Sequence, residues 1–402
     1  MTNRKFTEFT PLEYLQIDIA TSFGLDKQDW QNRIEWVQSN EADLESLVHL
    51  ADEPALYFAG VQAYRKTQAG KPTGYPISLD AAASGLQLLS ILSGCEASAS
   101  LCGVVNTGHR ADAYTLVYQA MCEKLGTSTT LDRAPVKQAI MTALYGSEAE
   151  PKKVFGEGTP LLECFYQTMA ERAPGAWFLN EAIKAMWDPN ALTYTWVLPD
   201  GFHVNTPVMS TVTHTVGVLG QQVNVPLKMN LPSAEGKSLC PNIIHSIDGM
   251  VVREMVRRCS YDQKQIDEIL SLKGNRNISR NRTKDHELLG LYLNAQRTGF
   301  LSVRILDFID EWNVGNIPYH VIEGLIENLP KKPFKVLTIH DCFRVHPNYA
   351  NDLRRQYNQV LSDLAKSDVL QDILSQVNKT PMQVNKISDI SLQVLEADYA
   401  LA

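Results

Sequence analysis

The sequence predicts an α+β fold in which small antiparallel sheets pack with many helices. Its 402 residues are 44% hydrophobic and 20% charged, which is typical of globular proteins. Strand-like segments are mixed with helical segments and follow no β-α-β rhythm, so a doubly wound parallel sheet is disfavoured. The length allows two or three domains.

The composition excludes several classes of protein. Lys plus Arg total 37 and Asp plus Glu total 45, a net charge of −8, so nucleic acid would have to be bound through local basic patches. No apolar run is long enough to span a membrane and the N-terminus has no secretory signal, so we expect a cytoplasmic protein without a membrane partner. Seven cysteines without CxxC or Cys/His spacing predict neither disulfides nor a zinc site.

Helices are predicted where apolar residues recur with helical spacing. Residues 11–52 read as short amphipathic helices broken near Gly24. Residues 84–94 read as a buried helix that stops at Gly94. Further helical segments are expected at 110–125, 131–146, 245–259, within 261–332, and after residue 346.

Three segments predict strands. YPISLD (75–80) is an apolar strand that ends in an acid. Residues 204–230 alternate β-branched and polar residues around Leu-Gly-Gln-Gln, which indicates a hairpin. KVLTIHDCFRVH (335–346) reads as two short strands around His340-Asp341.

Asp80 and Asp341 are the first candidate functional residues. Each is placed by an apolar strand, one at its end and the other in a hairpin turn. Two carboxylates presented by one sheet can hold a pair of Mg²⁺ ions that act in phosphoryl transfer. Singly, each aspartate is weak evidence, because turns favour Asp in any protein.

A second group of candidates lies on one predicted helix. Arg133, Lys137, Met141 and Tyr145 recur every four residues and therefore share a face. Its basic end can contact a triphosphate while Tyr145, about 18 Å further on, contacts a base or sugar. Alone, this pattern fits an ordinary amphipathic helix equally well.

Taken together and in order, these motifs resemble the single-subunit RNA polymerases of phages and mitochondria. DAAASGLQ (80–87), RAPVKQAIMTALYGS (133–147) and IHDCF (339–343) are similar to the family's motifs A, B and C. PNIIHSIDG (241–249) resembles its histidine motif and FGLDKQDWQNRIEWV (23–37) a lysine-bearing segment near the triphosphate. WVLPDGFHV (196–204) and LEADYALA (395–402) also match, so the resemblance covers nearly the whole chain except 261–332.

The resemblance implies a right-hand polymerase in which an antiparallel palm sheet adjoins helical fingers. Residues 1–125 would hold N-terminal helices and the first part of the palm. Residues 126–235 would form the fingers, with a hairpin at 204–230 that reads promoter or template. Residues 236–402 would complete the palm and carry a helical insertion at 261–332.

The resemblance also implies roles for individual residues. Asp80 and Asp341 would bind two catalytic Mg²⁺ ions, with the Ala81 carbonyl as a further ligand. Ribonucleoside triphosphates would be the substrates. The triphosphate would be held by Lys27, Arg133 and Lys137, and the ribose would be selected or approached by Tyr114, Tyr145, Gly146 and His245.

Several positions depart from the family pattern. Cys342 replaces the usual Ser, Ala81 replaces Gly, and Gln138 replaces a basic residue. EAEPKK (148–153) replaces an aromatic-bearing stretch that lies near the point of strand separation, which puts unaided duplex opening in doubt.

The matched motifs correspond to the C-terminal half of a family member and leave out its N-terminal domain and thumb. The start at Met1 favours a separate second polypeptide over a fragment. We therefore expect the catalytic subunit of a two-subunit phage polymerase that acts on a DNA template and RNA product. Its partners would be a smaller subunit and a single-stranded-DNA-binding accessory protein, in the host cytoplasm.

Two other interpretations remain open. A DNA polymerase with the same palm would carry a Glu in motif A, whereas Ala81, Ala82 and Ala83 follow Asp80 here. A non-catalytic nucleic-acid-binding subunit derived from a polymerase would be expected to lose a metal-binding aspartate, whereas both remain.

Overall fold

A computed structural model describes residues 6–126, 132–144, 146–234, 236 and 238–402 of the chain. Helices make up most of this part of the protein. They are α1 (Pro11–Ala20), α2 (Trp30–Ser39), α3 (Pro54–Gln68), α4 (Ser84–Ser93), α5 (Glu96–Leu101), α6 (Ala113–Leu125), α7 (Arg133–Leu144), α8 (Ala149–Phe155), α9 (Pro160–Arg172), α10 (Pro174–Lys184), α11 (Leu239–Cys259), α12 (Gln263–Ser271), α13 (Thr283–Thr298), α14 (Tyr319–Glu327), α15 (Ala350–Lys366), α16 (Val369–Asn378) and α17 (Ser391–Leu395).

The strands form three small antiparallel sheets. They are β1 (Ile77–Asp80), β2 (Thr193–Val197), β3 (His203–Pro207), β4 (Met209–Val218), β5 (Gln221–Asn230), β6 (Leu337–Ile339) and β7 (Cys342–Val345). One sheet has the order β1-β7-β6, and the other two are the pairs β2-β3 and β4-β5. Helices and antiparallel sheets together confirm the predicted α+β class.

The three-stranded sheet lies against a group of buried helices. In β1, Ile77 and Leu79 are buried, as the two-residue period of a strand facing a core requires. Helix α4 follows directly and is buried along its whole length. It contacts both α11 and α15, and the strand that ends in Asp80 contacts α1 on the same hydrophobic core.

Gly94 ends α4 in the way that the sequence predicted. Its φ of 65° is left-handed, the usual conformation of a residue that stops a helix. A Cβ atom there would lie 2.2 Å from the Ser388 carbonyl oxygen, so only glycine fits.

Gln87 connects α4 to the end of the chain. Its amide nitrogen donates to the carbonyls of Cys102 (3.0 Å) and Ala400 (2.9 Å), and its oxygen accepts from the Tyr357 hydroxyl (2.8 Å). All of these groups lie in the interior. We expect Gln87→Leu to lower the free energy of unfolding by roughly 3 kcal/mol, because three buried polar groups lose their partner. Urea denaturation measures this loss, and Gln138→Leu on the exposed side of α7 is the control. A loss below about 1 kcal/mol would contradict this role.

Asp18 is a buried carboxyl that supports β1. It accepts hydrogen bonds from the Tyr75 hydroxyl (2.7 Å) and the Ser78 backbone N–H (2.8 Å). Desolvation raises its pKa to about 6, against the lowering effect of these hydrogen bonds. The folded protein therefore binds a proton here more tightly than the unfolded chain does.

This shift predicts a pH dependence of stability. Because the folded pKa is the higher one, the stabilisation is present at acid pH and is lost as the pH rises through about 6. Asp18→Asn can accept from the Ser78 N–H through its amide oxygen and donate from its NH2 to the Tyr75 oxygen, whose hydroxyl then donates to the Leu56 carbonyl. Without the charge, we expect it to be more stable than the parent above pH 7, by up to about 3 kcal/mol, and equal to it near pH 4. Thermal melts from pH 4 to 8 test this. If the melting temperatures of the variant and the parent differed by the same amount at every pH, the expected pH dependence would be contradicted.

Residues 261–332 fold around a hydrophobic core of their own. This core includes Ile266, Leu288 and Ile305, and α12, α13 and α14 surround it, which confirms the helix-rich character predicted for the segment. The segment is attached to α11 through buried Glu254, which accepts from the Ser302 hydroxyl and the Val303 N–H.

The basic loop of this segment is partly neutralised. Arg282 pairs with Asp285 (2.7 Å) and Asp310 (2.9 Å), whereas Arg276 and Arg280 are exposed. The charge of Arg282 is therefore already paired with carboxylates of the same segment.

Some boundaries predicted from the sequence are wrong. The predicted hairpin at 204–230 is two structures, because residues 203–207 form β3 and pair with β2, and only Met209–Asn230 forms the long β4-β5 hairpin. The helix predicted at 245–259 begins at Leu239. The chain from 379 to 390, predicted as helical, has no regular structure. In the described residues, no helix is both long and apolar enough to cross a membrane.

Candidate active site

The structure brings Asp80 and Asp341 together through strand register. Asp80, the last residue of β1, pairs with Cys342, the first residue of β7. Asp341 directly precedes Cys342, and its carbonyl accepts a hydrogen bond from the Ala81 N–H (3.3 Å). The two carboxylates are therefore neighbours across an antiparallel pair, although they are 261 positions apart in sequence.

The turn that presents Asp341 has an unusual backbone. It has two residues, His340 and Asp341, between β6 and β7. His340 has a left-handed φ of 56°. Such a conformation is uncommon for residues other than glycine and is often found at functional sites.

The electrostatics of Asp80 reflect the nearby carboxylate. Desolvation, and next the negative charge of Asp341, raise the pKa of Asp80 to about 6. The positive charges of Arg110 and Lys27 act in the opposite direction. A cation between the two carboxylates would relieve their repulsion, so the site is suited to bind positive charge.

Lys27 lies in a loop between α1 and α2 that is held from two sides. Arg33 and Arg110 both donate a hydrogen bond to the carbonyl of Asp26, each with a donor–acceptor distance of 2.7 Å. Lys27 itself forms an exposed ion pair with the Asp26 carboxylate. The lysine is thus near enough for its charge to lower the pKa of Asp80. The carbonyl that precedes it is held by two guanidinium groups.

Arg110 is a residue of this site that sequence reasoning missed. It is half-buried, and desolvation lowers its pKa, while the charges of Asp26, Asp112 and Asp80 oppose that effect. Nothing in its local sequence marks it, because it belongs to no predicted motif. Only the tertiary fold brings it near Asp80.

Lys137 and Tyr114 are brought together on adjacent helices. The Lys137 ammonium lies 5.5 Å from the centre of the Tyr114 ring, within cation–π range. The opposite face of α7 is buried through Val136 and Ile140, so Lys137 faces away from the core.

Three other residues of the predicted triphosphate and ribose group lie at the limits of the described chain. Gly146 is buried and has a φ of 78°, a conformation that glycine adopts without strain. The Arg133 side chain and the whole of Tyr145 lie outside the described residues.

His245 and Asp341 line one open cavity of about 540 Å³. His245 is in the second turn of α11, and partial desolvation lowers its pKa. Asp248, three residues further on, lines the same cavity. The cavity therefore joins the histidine motif to the carboxylate of the β6-β7 turn.

Asp248 was also missed by sequence reasoning. Desolvation, and next the charge of Asp341, raise its pKa to about 6, while a hydrogen bond with Ser84 lowers it. Its spacing from His245 was the available signal, because residues three apart on a helix share a face. The site thus has a third carboxylate, which links α11 to the start of α4.

The residues of the site suit Mg²⁺, which keeps water and substrate ligands, better than a metal ion that is held by protein side chains alone. Within the described part of the chain, no group of three or more His, Cys, Asp or Glu side chains is arranged to hold a metal ion. Mg²⁺ is commonly held by one or two carboxylates together with waters and substrate phosphates. Asp80 and Asp341, with the Ala81 carbonyl nearby, meet that requirement.

The last residues of the chain pair with the end of β1, the strand that carries Asp80. Asp80 and Ala402 exchange backbone hydrogen bonds of 3.4 and 2.9 Å, and Ala81 bridges Leu401. The last two residues of the terminal segment LEADYALA therefore lie beside the end of β1, where Asp80 is presented.

Comparison with known proteins supports the predicted family. A family model for DNA-dependent RNA polymerase matches residues 7–151, a range that includes β1 and the whole of predicted motif B (133–147). No curated protein matches the chain. The match confirms the predicted family over these residues and, with it, the enzyme class, a nucleotidyltransferase.

Proposed function

We propose that the chain is the catalytic subunit of a phage DNA-directed RNA polymerase of the single-subunit type. It would add nucleotides from ribonucleoside triphosphates to an RNA 3′ end on a DNA template. The observation that carries this proposal is the pairing of Asp80 with Cys342, which places Asp80 and Asp341 side by side. The family match over residues 7–151 supports the same chemistry.

Asp80 and Asp341 would hold two Mg²⁺ ions, with the Ala81 carbonyl as a further ligand. When bound, the ions would supply positive charge for the attacking and leaving oxygens. The two carboxylates would fix where the 3′ hydroxyl and the α-phosphate meet. The β1-β7 register and the Ala402 backbone pairing would keep them in place as nucleotides turn over.

Lys137, Arg133 and Lys27 would bind the triphosphate. Lys137 is held beside Tyr114, and Lys27 is carried by the loop that Arg33 and Arg110 fix. These contacts would orient the α-phosphate towards the RNA 3′ end and would neutralise charge on the leaving pyrophosphate.

Tyr145 and His245 would select ribose, with Tyr114 and Gly146 beside the sugar. The support for His245 is its place in the cavity that Asp341 also lines. An exposed imidazole there can donate a hydrogen bond to a sugar hydroxyl.

Tyr145→Phe tests the assignment of sugar selection. We expect the variant to incorporate deoxynucleotides more readily while its rate on ribonucleotides changes little, since only the phenol hydroxyl is lost. Competition between the two triphosphates at one template position measures this discrimination. If the variant rejects deoxynucleotides as strongly as the parent, Tyr145 does not select the sugar.

The domain roles form part of the proposal. Residues 1–125 would supply N-terminal helices and part of the palm, 126–235 the fingers and 236–402 the rest of the palm. The polar side of the hairpin within 204–230 would contact promoter or template.

We propose further that a smaller subunit carries the remaining half of the polymerase and that a single-stranded-DNA-binding protein assists promoter opening. The net charge of −8 supports the need for a partner, because affinity for nucleic acid comes largely from neutralised phosphates.

Extension of an RNA primer annealed to a single-stranded DNA template tests the proposed function. The complex purified with this chain is supplied with Mg²⁺ and either ribonucleotides or deoxynucleotides. We expect complementary ribonucleotides to be added in preference. Preferred addition of deoxynucleotides would favour a DNA polymerase, and binding without addition would favour a non-catalytic subunit.

A further inference from the structure

The β4-β5 hairpin is amphipathic across its whole length. Residues that pair across an antiparallel sheet lie on the same face, and successive pairs alternate between the two faces. The pairs Val212–Leu227, His214–Val225 and Val216–Val223 therefore share one face. The alternating pairs Thr211–Lys228, Thr213–Pro226 and Thr215–Asn224 lie on the other.

The two faces differ sharply in chemistry. The apolar face carries Val212, Val216, Val218, Val223, Val225, Leu227 and Met229, together with the polar Ser210, His214 and Gln221. Of these, Val216, Val218, Val223, Leu227 and Met229 are 41–51% exposed. The opposite face is made mainly of threonine, asparagine, glutamine and lysine.

The tip of the hairpin adds a second observation. Leu219 and Gly220 form its two-residue turn with φ values of 49° and 78°. Such turns favour Asn-Gly, because a bulky residue with positive φ is strained. Leu219 is nevertheless fully exposed. The chain thus holds an apolar side chain in a costly conformation at the fully exposed tip of the hairpin.

The apolar face is large enough to form part of a stable interface. Ten-residue strands about 3.3 Å per residue long, in a pair about 10 Å wide, give roughly 330 Å². Exposed apolar patches of a few hundred Å² commonly mark interaction sites. A standard interface buries roughly 800 Å² on each partner, so this face would supply about two fifths of that area.

Charge indicates what covers this face. Lys228 is the only Asp, Glu, Lys or Arg between 209 and 230 and it lies on the polar face, whereas His214 lies on the apolar face. Nucleic acid is held mainly by cations and hydrogen-bond donors that contact phosphates, and the apolar face has no Lys or Arg and only three polar side chains, those of Ser210, His214 and Gln221. An uncharged apolar protein surface is its physical complement.

We propose that the apolar face of the β4-β5 hairpin, with Leu219 at its tip, docks onto a second polypeptide that presents an uncharged apolar surface. The polar face stays free for nucleic acid. That this polypeptide is the smaller polymerase subunit rests on the proposed function, whereas the docking itself does not.

Site-specific photocrosslinking tests the docking. A benzophenone amino acid replaces Val223 on the apolar face or, as the control, Gln222 on the polar face, in the tagged full-length chain produced in its own cells. We expect position 223 to crosslink one other polypeptide that co-purifies in equimolar amount, and position 222 to give less than about a tenth of that yield. A nuclease-sensitive product at 223, crosslinking to a second copy of this chain, or equal yields at both positions would overturn the proposal.

Leu219→Asn separates docking from folding. Asparagine suits the left-handed turn better than leucine, so the variant should melt at the same or a higher temperature. We expect its dissociation constant for the crosslinked polypeptide to rise about tenfold or more, since a buried apolar side chain is lost. Thr215→Ser on the polar face is the control and should change the constant less than twofold. Unchanged binding by Leu219→Asn would overturn the proposal.

These measurements are independent of nucleotide addition. If crosslinking behaves as expected but the primed template is not extended, the proposed function fails and the docking surface stands. If the primed template is extended but crosslinking does not behave as expected, the docking surface fails and the proposed function stands.

Discussion

Replacing Asp341 with asparagine is expected to reduce template-directed nucleotide addition by at least about a hundredfold, with the fold retained. Asp80→Asn should have the same effect. The two carboxylates lie beside each other across β1 and β7, so the loss of either removes half of the negative charge proposed to hold Mg²⁺. The measurement is the single-nucleotide extension rate on a primed DNA template in Mg²⁺.

A matched variant controls for the change of carboxylate to amide. Asp267 is exposed on α12, a helix of the segment 261–332 that packs around its own core. Asp267→Asn should therefore extend the primer at the parental rate. If Asp80→Asn or Asp341→Asn retained more than about one per cent of parental activity, the assignment of these residues to the metal site would be wrong.

Lys137→Ala is expected to have the next largest effect. Its ammonium is held against the Tyr114 ring on the exposed side of α7, and it is proposed to contact the triphosphate. We expect kcat/KM for the incoming nucleotide to fall about a hundredfold, the usual cost of losing one charged contact to the reacting groups. Lys137→Arg should restore part of the loss, because it keeps the positive charge.

The control for this variant is another lysine of the same region. Lys152 on α8 pairs with Glu148 and Glu157 at the surface, so Lys152→Ala should leave kcat/KM within about twofold of the parent. Equal effects of Lys137→Ala and Lys152→Ala would show that general charge, and not a specific contact, is involved.

The sequence was sufficient to predict the neighbourhood of Asp80 and Asp341, since both lie beside short apolar strands. The antiparallel pairing of β1 with β7 is seen only in the structure, because local patterns do not determine which distant strands pair. The turn at His340 was predicted in position but not in its left-handed backbone, because histidine does not favour that conformation as glycine does.

Other parts of the site depend on contacts that local patterns do not show. Arg110 reaches the neighbourhood of Asp80 only because it donates to the Asp26 carbonyl of a distant loop. Asp248 belonged to a motif that was identified, but its link to Ser84 depends on how α11 packs against α4.

The error at residues 204–207 has a physical cause. Thr193–Val197 was not identified as a strand, although Tyr194 and Trp196 alternate with polar residues and are buried. Without that partner, residues 203–207 were joined to the hairpin that follows. Register within a two-stranded unit cannot be assigned until both of its strands are known.

The most direct test of the central claim is metal-directed cleavage of the chain. Fe²⁺ is bound in place of Mg²⁺, and added hydrogen peroxide oxidises it to Fe³⁺ with release of hydroxide and a hydroxyl radical, which cuts the backbone close to the ion. We expect cuts near both residue 80 and residue 341, which are lost in the Asp80→Asn/Asp341→Asn double variant and are suppressed by excess Mg²⁺. Cuts at other positions only, or cuts that persist unchanged in the double variant, would contradict it.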